Sequence, residues 1–168
     1  MKKGKILQSY SFDEANQVKS LAVDFTIVCD NLNPSLVTKE TGIVPNHSWR
    51  KGEIYQSVSS KTGKSRSYEK VHGLWRVTSY DKVDSFYIND HISYVLAIVE
   101  PSKDYFKSLC KIQEFRVFFH VYRECFDGQG FFCISSDNML RMADMCQEIE
   151  FLCPVEITED VEDESKKE

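Results

Sequence analysis

The sequence has 168 residues, of which 42% are hydrophobic and 28% charged, proportions typical of one globular domain with a single core. Its formal charge of -5 comes entirely from residues 156–168, where seven acids outnumber two lysines, so residues 1–155 sum to zero. A neutral body argues against nucleic acid as a partner, because nonspecific binding to nucleic acid needs a basic face.

The sequence pattern predicts neither a membrane-spanning helix nor a signal peptide. No run approaches the roughly 20 apolar residues of a membrane-spanning helix. Residues 1–5 are basic, but residues 6–10 are too polar and too few for the apolar part of a signal peptide. We therefore expect a cytoplasmic protein that does not contact a membrane. No two of the six cysteines are spaced as Cys-x-x-Cys, and we expect all six to be reduced core residues.

The chain divides into three expected regions. Residues 1–19 form an N-terminal arm or a short strand, residues 20–157 form a single α+β domain, and residues 158–168 form an acidic disordered tail. Alternating apolar residues predict a half-buried strand over 20–29. Asn33 and Pro34 then predict the start of a short helix over 34–41, and Gly42 its end.

The middle of the chain changes from strand to helix. Residues 54–58 and 74–80 predict strands, and the small, polar and basic residues 59–67 predict a mobile loop or hairpin tip. Between 84 and 111 the apolar spacing becomes helical. Pro101 interrupts this segment, and Ser102 can cap a second helix with Phe106 facing inward.

The C-terminal half opens with the strongest strand, over 115–122. Its odd-numbered residues face one side and its even-numbered residues the other. Residues 126–130 predict a turn, and 131–135 a returning hairpin strand. A helix capped by Ser136 or Asp137 should bury Leu140 in its apolar stripe, and 151–157 predict an edge strand. These elements indicate an α+β two-layer sandwich, with a largely antiparallel sheet of about five or six strands and two or three helices on one face.

The candidate site residues lie in two tryptophan segments, residues 43–53 and residues 72–77. Both tryptophans precede an arginine, and Trp and Arg are the residue types that contribute most to binding energy at interfaces. A structural interpretation has Trp49 and Trp75 packing together as a lid on the sheet edge. The predicted binding residues are Trp49, Arg50, Lys51, Glu53, His72, Trp75 and Arg76.

The order of these motifs resembles a family of small bacterial proteins known only as a domain of unknown function. The residues that carry the resemblance are the Asn33-Pro34 helix start, the Pro-x-x-Ser-Trp-Arg-Lys-Gly-Glu segment at 45–53 and the His-Gly-Leu-Trp-Arg segment at 72–76. It covers about residues 20–157. It implies a bacterial cytoplasmic domain with no assigned activity, cofactor or catalytic residue. Some families of this kind include immunity proteins that neutralise a toxin, which is an analogy only.

The histidines do not predict a metal site. His47 and His72 each precede a tryptophan and could meet in space, but the spacing of His120 to Cys125 and Cys133 matches no familiar zinc ligand pair. His91, beside an acid on a helix, is expected on the solvated face. We predict neither a metal nor another cofactor.

Three functions remain open. The leading hypothesis is a noncatalytic module that binds a protein partner, of the immunity or regulatory type, since no catalytic motif accompanies the two Trp-Arg pairs. The alternative is a small enzyme or ligand-binding protein with His47, His72 or His120 in a pocket between helices and sheet. The third is RNA binding through the basic loop 61–70.

Overall fold

The computed structural model describes residues 18–59, 62–125 and 132–154. Within them a five-stranded sheet has the order β2-β5-β1-β6-β7, and β3 and β4 form a separate two-stranded sheet. All pairs are antiparallel except β6 with β7, which is parallel. The strands are β1 Val18–Cys29, β2 His47–Trp49, β3 Ile54–Val58, β4 Ser65–Glu69, β5 Gly73–Thr78, β6 Arg116–Cys125 and β7 Glu148–Leu152. The predicted α+β architecture is confirmed.

Strand β1 lies at the centre of the sheet. It pairs with β6 on one side and β5 on the other, so that Ile27 lies between Val117 and Trp75. Successive side chains of a strand point to opposite faces. The odd-numbered residues of β1, β5 and β6 therefore share one face, and this face packs against the helices.

The helices cover that face. The helices are α1 Pro34–Thr41, α2 Ile88–Val99, α3 Lys103–Leu109 and α4 Ser136–Ala143, with a 3₁₀ turn at Glu100–Ser102 between α2 and α3. Helix α1 begins at the predicted proline and ends at Gly42, whose φ of 71° is the left-handed conformation that glycine adopts without strain. Helix α4 is capped by Ser135, whose hydroxyl accepts from the Asn138 amide.

Aromatic side chains join the two layers. Phe25 lies 4.7 Å from Phe106 of α3 and 5.0 Å from Phe119 of β6, measured between ring centroids. Trp75 completes the cluster, 6.0 Å from Phe106. All four side chains are fully buried. Aromatic rings bury the largest areas of any side chain, so this cluster contributes strongly to fixing the helices on the sheet.

The β3–β4 hairpin stands apart from this core. Every residue of both strands is exposed. Its base continues the ladder toward the sheet through hydrogen bonds from the Gly52 amide to the Lys70 carbonyl and from the Lys70 amide to the Glu53 carbonyl. A two-stranded hairpin without a packed face is only marginally stable alone. The fold thus presents a projecting arm that its own core does not use.

Some predicted elements are wrong. Residues 132–135 form no strand, and β7 pairs with β6 in parallel on the edge where the hairpin was predicted. Leu140 is exposed rather than inward, whereas Met142, which the same apolar stripe also predicts to face inward, is buried. Cys133 and Cys153 are exposed, unlike the buried Cys29 and Cys125.

The predicted division of the chain remains a prediction at both ends. Strand β1 begins at Val18, two residues before the predicted start of the domain. Residues 1–17 and 155–168 lie outside the described residues, so the N-terminal arm, the end of the domain at 157 and the acidic tail stay expectations.

Candidate functional site

Five of the seven predicted binding residues come together at the end of the sheet where β1 leads into α1. Strand β2 pairs with β5 so that Trp49 lies opposite Leu74, and the Trp49 indole Nε1 donates to the His72 carbonyl over 3.1 Å. This bond joins the two tryptophan segments. The five residues are Trp49, Arg50, Lys51, Glu53 and His72.

An exposed carboxylate links these residues. Asp30 accepts from Lys51 Nζ, and its other oxygen lies 2.6 Å from His72 Nδ1. The hydrogen bond from Lys51, followed by that from His72, lowers the pKa of the Asp30 carboxyl. Asp30 therefore stays charged at neutral pH and holds the Lys51 and His72 side chains in place.

Arg50 is held by two further contacts. Its backbone amide donates to Glu53 Oε1 over 2.7 Å, which closes the tight turn before β3. Its Nη2 donates to the Asn33 side-chain oxygen over 2.8 Å. The Asn33 side chain makes no capping hydrogen bond at α1, so the residue predicted as a helix cap binds the arginine instead.

Trp75 and Arg76 lie elsewhere. Trp75 is 0% exposed on the helix-packed face, and its Nε1 donates to Thr38 Oγ1 of α1 over 3.2 Å. The two tryptophans point to opposite faces because Trp49 is paired with Leu74 and not with Trp75. The expected lid of packed tryptophans is therefore wrong. Arg76 lies on the helix-free face, 3.4 Å from Asp24.

A cation between aromatic rings supports the Trp49 side chain. Lys70 Nζ lies 3.7 Å from the Trp49 ring centroid and 3.9 Å from that of Tyr55. Tyr55 in turn stacks on its cross-strand partner Tyr68, with centroids 5.4 Å apart. An ammonium group is attracted to the face of an aromatic ring. Lys70, Tyr55 and Tyr68 therefore couple the hairpin to Trp49.

Sequence reasoning did not find this stack. Tyr55 and Tyr68 are the same number of residues from the middle of the turn between β3 and β4. This symmetry makes them cross-strand neighbours if the segments 54–58 and 65–69 pair as a hairpin.

The β3–β4 hairpin, with Trp49, Lys70 and Val71 at its base, is hereafter the hairpin surface. It exposes aliphatic side chains: Ile54 is 65% exposed and Val58 is 64% exposed. Val71 is exposed as well. Lys64 and Arg66 add positive charge toward the tip. The surface thus combines aliphatic, aromatic and basic groups.

The helix-free face of the sheet holds a second candidate site. Small side chains on β1, such as Ala22, lie between long ones on its neighbours, such as Tyr122, so a trough of about 680 Å³ runs along β1. Its walls include His47 and His120. Within the described chain neither imidazole makes a hydrogen bond or ion pair. The predicted pocket was expected between helices and sheet, whereas these histidines line the opposite face.

Charge in the trough is balanced by internal pairs. Arg76 pairs with Asp24, and Lys19 lies 2.8 Å from Glu124. Tyr122 donates to Glu124 over 2.9 Å. Desolvation, and then this hydrogen bond, raises the pKa of the Tyr122 phenol, while hydrogen bonds from Lys19 and Tyr122 lower the pKa of Glu124. Tyr122 therefore remains a neutral donor at neutral pH.

The remaining histidine positions differ from expectation. His47 lies opposite Arg76, within β5, whereas His72 lies just before Gly73 at the start of β5, so the two histidines do not meet. His91 is buried instead of solvated, with its Nδ1 2.9 Å from Ser79 Oγ and its Nε2 2.9 Å from the Ser85 carbonyl. Its role is to hold α2 against the end of β5.

Neither a metal-binding cluster nor a membrane-spanning helix is present in the described ranges. No group of three or more His, Cys, Asp or Glu side chains there could hold a metal ion. None of the described helices is long and apolar enough to cross a membrane.

Comparison with other proteins identifies the family alone. No curated protein and no solved structure matches the chain significantly. The family described as a domain of unknown function, DUF4279, matches residues 16–156. This range contains the five-stranded sheet, its helices and the hairpin surface, and the chain therefore belongs to the DUF4279 family.

Proposed function

We propose that the protein is a noncatalytic interaction module, of the regulatory or immunity type, that binds an acidic protein partner through the hairpin surface. The observation that carries the proposal is the exposure of all residues of β3 and β4, including Ile54 and Val58. Exposed apolar groups concentrated on one projecting element are typical of protein interaction sites.

The exposed edges of the β3–β4 hairpin also favour a protein as the partner. Both outer edges of the two-stranded sheet are unpaired with any other described strand. An exposed edge can accept an extended segment of a partner through main-chain hydrogen bonds, with side chains of the hairpin providing specificity. The cation-aromatic stack at the base holds Trp49 in one orientation, which lowers the entropy lost on binding.

Charge favours an acidic partner. In the described chain five cations lie on or beside the hairpin against three acids, although the whole sequence carries -5. Opposite charges on two partners accelerate their association and exclude wrong partners. The cations are Arg50, Lys51, Lys64, Arg66 and Lys70, and the acids are Asp30, Glu53 and Glu69.

RNA is less well supported on the same surface. Single-stranded RNA requires aromatic faces on which bases stack. Tyr55 and Tyr68 stack on each other, and Lys70 covers the Trp49 and Tyr55 rings. The exposed aliphatic groups Ile54 and Val58 offer nothing to a phosphate backbone.

Site-specific photo-crosslinking tests the proposal. A photoreactive amino acid replaces Val58 in the full chain, which is expressed in its native cells. The matched control carries it at Leu140, which is 71% exposed on α4. We expect one protein to crosslink from position 58 and not from position 140, and to be lost when Lys64 and Arg66 are both changed to Glu.

Three outcomes would contradict the proposal. Equal capture from positions 58 and 140 would show that the hairpin is not the site. Nuclease-sensitive material would assign the surface to RNA. Absence of any crosslink from position 58, while the protein remains folded, would leave the hairpin without a partner.

A small-molecule site in the trough is the second candidate function. The specific observation is that His47, His120 and Tyr80 line the trough and their side-chain polar groups make no hydrogen bond within the described residues. A volume of about 680 Å³ is in the usual range of ligand sites. Replacing Ala22 with Leu would fill the trough floor. Loss of a metabolite that copurifies with the wild-type protein would support this candidate, and retention in Ala22→Leu would contradict it.

A further inference from the structure

A small pocket lies at the opposite end of β1 from the hairpin surface. It encloses about 170 Å³ between the start of β1, the end of β6 and the first turn of α2. The pocket has a polar part and an aromatic part. It is lined by Leu21, Phe86, Tyr87, Ile88, Asn89, Arg123, Phe132 and Cys133.

Arg123 is the unusual member. It continues the row of Val117, Phe119 and Val121 on the helix-packed face of β6, and it is only 4% exposed. Its Nη1 is buried and makes no hydrogen bond. Its one described contact through the guanidinium is with the Phe132 ring, 5.7 Å away. No acid among the described residues forms an ion pair with it.

Such a group is unfavourable as it stands. A charge that is removed from water without a partner loses its hydration, and buried charges in proteins are normally paired. An orphaned buried donor in a native protein therefore indicates a missing partner. That partner must be an acceptor, because a guanidinium has only donors.

The first turn of α2 faces the same pocket. Tyr87 occupies the cap position and provides no side-chain hydrogen bond to the helix amides. Backbone N–H groups and the helix dipole make such an N-terminus attractive to anions. Helix α2 spans 12 residues and carries one acid, Asp90, in its first turn, which offsets part of the positive potential of this helix end. Arg123 therefore supplies most of the positive potential, and the first helix amides add hydrogen-bond donors.

Asn89 does not compete for the ligand. Its side-chain Nδ2 donates to the Cys133 carbonyl over 2.9 Å, and its Oδ1 accepts from the Ser135 amide over 3.0 Å. These bonds fix the segment around 133 against α2. The pocket walls are thus set independently of any ligand.

We propose that this pocket binds a small organic carboxylate, with its anionic group against Arg123 and the α2 N-terminus. The planar guanidinium matches a carboxylate through two parallel hydrogen bonds. Phe86, Tyr87 and Phe132 then contact the apolar remainder of the molecule. The volume of about 170 Å³ limits that remainder to the size of one ring or a short aliphatic chain.

Thermal unfolding of the full chain tests the site at constant ionic strength. The probes are sodium acetate, sodium benzoate and sodium phosphate, with sodium chloride as the reference. We expect benzoate to raise the Tm of the wild-type protein in a saturable way, because a ligand that binds only the folded state stabilises it. Acetate should bind more weakly than benzoate, and phosphate should have no saturable effect.

Substitution of Arg123 separates the site from general salt effects. Arg123→Met keeps the length of the side chain and removes the charge, so we expect it to abolish the benzoate effect. Without carboxylate its Tm should equal or exceed that of the wild type. Arg123→Lys keeps the charge but loses the fork, and should weaken benzoate binding at least tenfold.

Amide chemical shifts of the wild-type protein give a second test that does not depend on a variant folding. Benzoate should shift the amide resonances of Tyr87, Ile88 and Asn89 more than those of the hairpin surface. The proposal is overturned if these amides do not respond, if Arg123→Met retains the benzoate effect, or if phosphate binds more tightly than the carboxylates.

Discussion

Among the described glycines, Gly73 is the one where an added methyl group would meet the closest contacts, so Gly73→Ala should lower the free energy of unfolding. It begins β5 and lies opposite Cys29 at the end of β1. A Cβ built at Gly73 would lie 2.7 Å from Leu32 Cβ and 2.8 Å from the Cys29 carbonyl oxygen. Neither atom can move freely, because the Leu32 amide donates to that same carbonyl and closes the turn. Gly73→Ala must therefore shift the turn or the end of the β1–β5 pair.

Overpacking of this kind costs about 1–3 kcal/mol. For a domain of this size each kcal/mol lowers Tm by about 2–4 °C. Ser67→Ala is the control, because Ser67 is exposed on β4 outside the core and its substitution adds no atom to a packed site. Urea and thermal unfolding followed by circular dichroism should show Gly73→Ala destabilised and Ser67→Ala nearly unchanged. Equal stability of Gly73→Ala and the wild type would refute the packing argument.

Three further predictions address charge, thiols and a buried histidine. The hydrogen bond from Arg141 lowers the pKa of Glu100 in the folded state below its ordinary value, so the stabilisation from this pair is present above the ordinary pKa and is lost as pH falls through the folded pKa. In Glu100→Gln, urea unfolding should therefore show a shallower loss of stability on acidification, and an unchanged slope would contradict this. Burial raises the pKa of Cys146 to about 11, so this thiol carries little reactive thiolate at about pH 8. Mass spectrometry should therefore find the exposed Cys133 alkylated well before Cys146 at that pH. The reverse order of alkylation would contradict the burial of Cys146. Removal of the His91 ring leaves buried polar partners unsatisfied, so His91→Ala should lower the free energy of unfolding by about 1–3 kcal/mol, and a change within experimental error would contradict its structural role.

The sequence predicted helices and strands best where the residues of the helix or strand itself determine its bounds or its faces. Helix α1 has the predicted bounds because Pro34 and Gly42 mark its two ends by their own backbone preferences. The alternation over β6 likewise assigned its two faces, since the period of a strand is independent of its neighbours.

Prediction failed where the outcome depends on which strands become neighbours. Turn residues after β6 predicted a returning strand, but β7, which reaches the sheet after α4, takes that edge in parallel. The opposite directions of Trp49 and Trp75 follow from the β2–β5 register, which no local pattern contains. The trough also depends on which strands are neighbours. The small Ala22 side chain leaves space only because longer side chains flank it on both sides in the sheet.

Two features were present in the sequence and were overlooked. His91 follows Ile88 by three residues and precedes Val95 by four, which places it on the apolar stripe of α2. Arg123 extends the odd-numbered apolar row of β6 onto the buried face. A polar residue at a buried position of an apolar stripe needs a hydrogen-bond partner. The positions of His91 and Arg123 in these stripes therefore indicate the His91 contacts and the Arg123 pocket.

The claim that the hairpin surface binds an acidic protein is tested most directly by one affinity measurement. The protein that crosslinks from position 58 is purified, and its Kd for the full chain is determined for the wild type, for Ile54→Ser with Val58→Ser, and for Leu140→Ser. We predict at least a tenfold weaker Kd for the hairpin variant, an unchanged Kd for Leu140→Ser, and weaker binding at higher salt. A Kd that is equal in all three proteins would contradict the account.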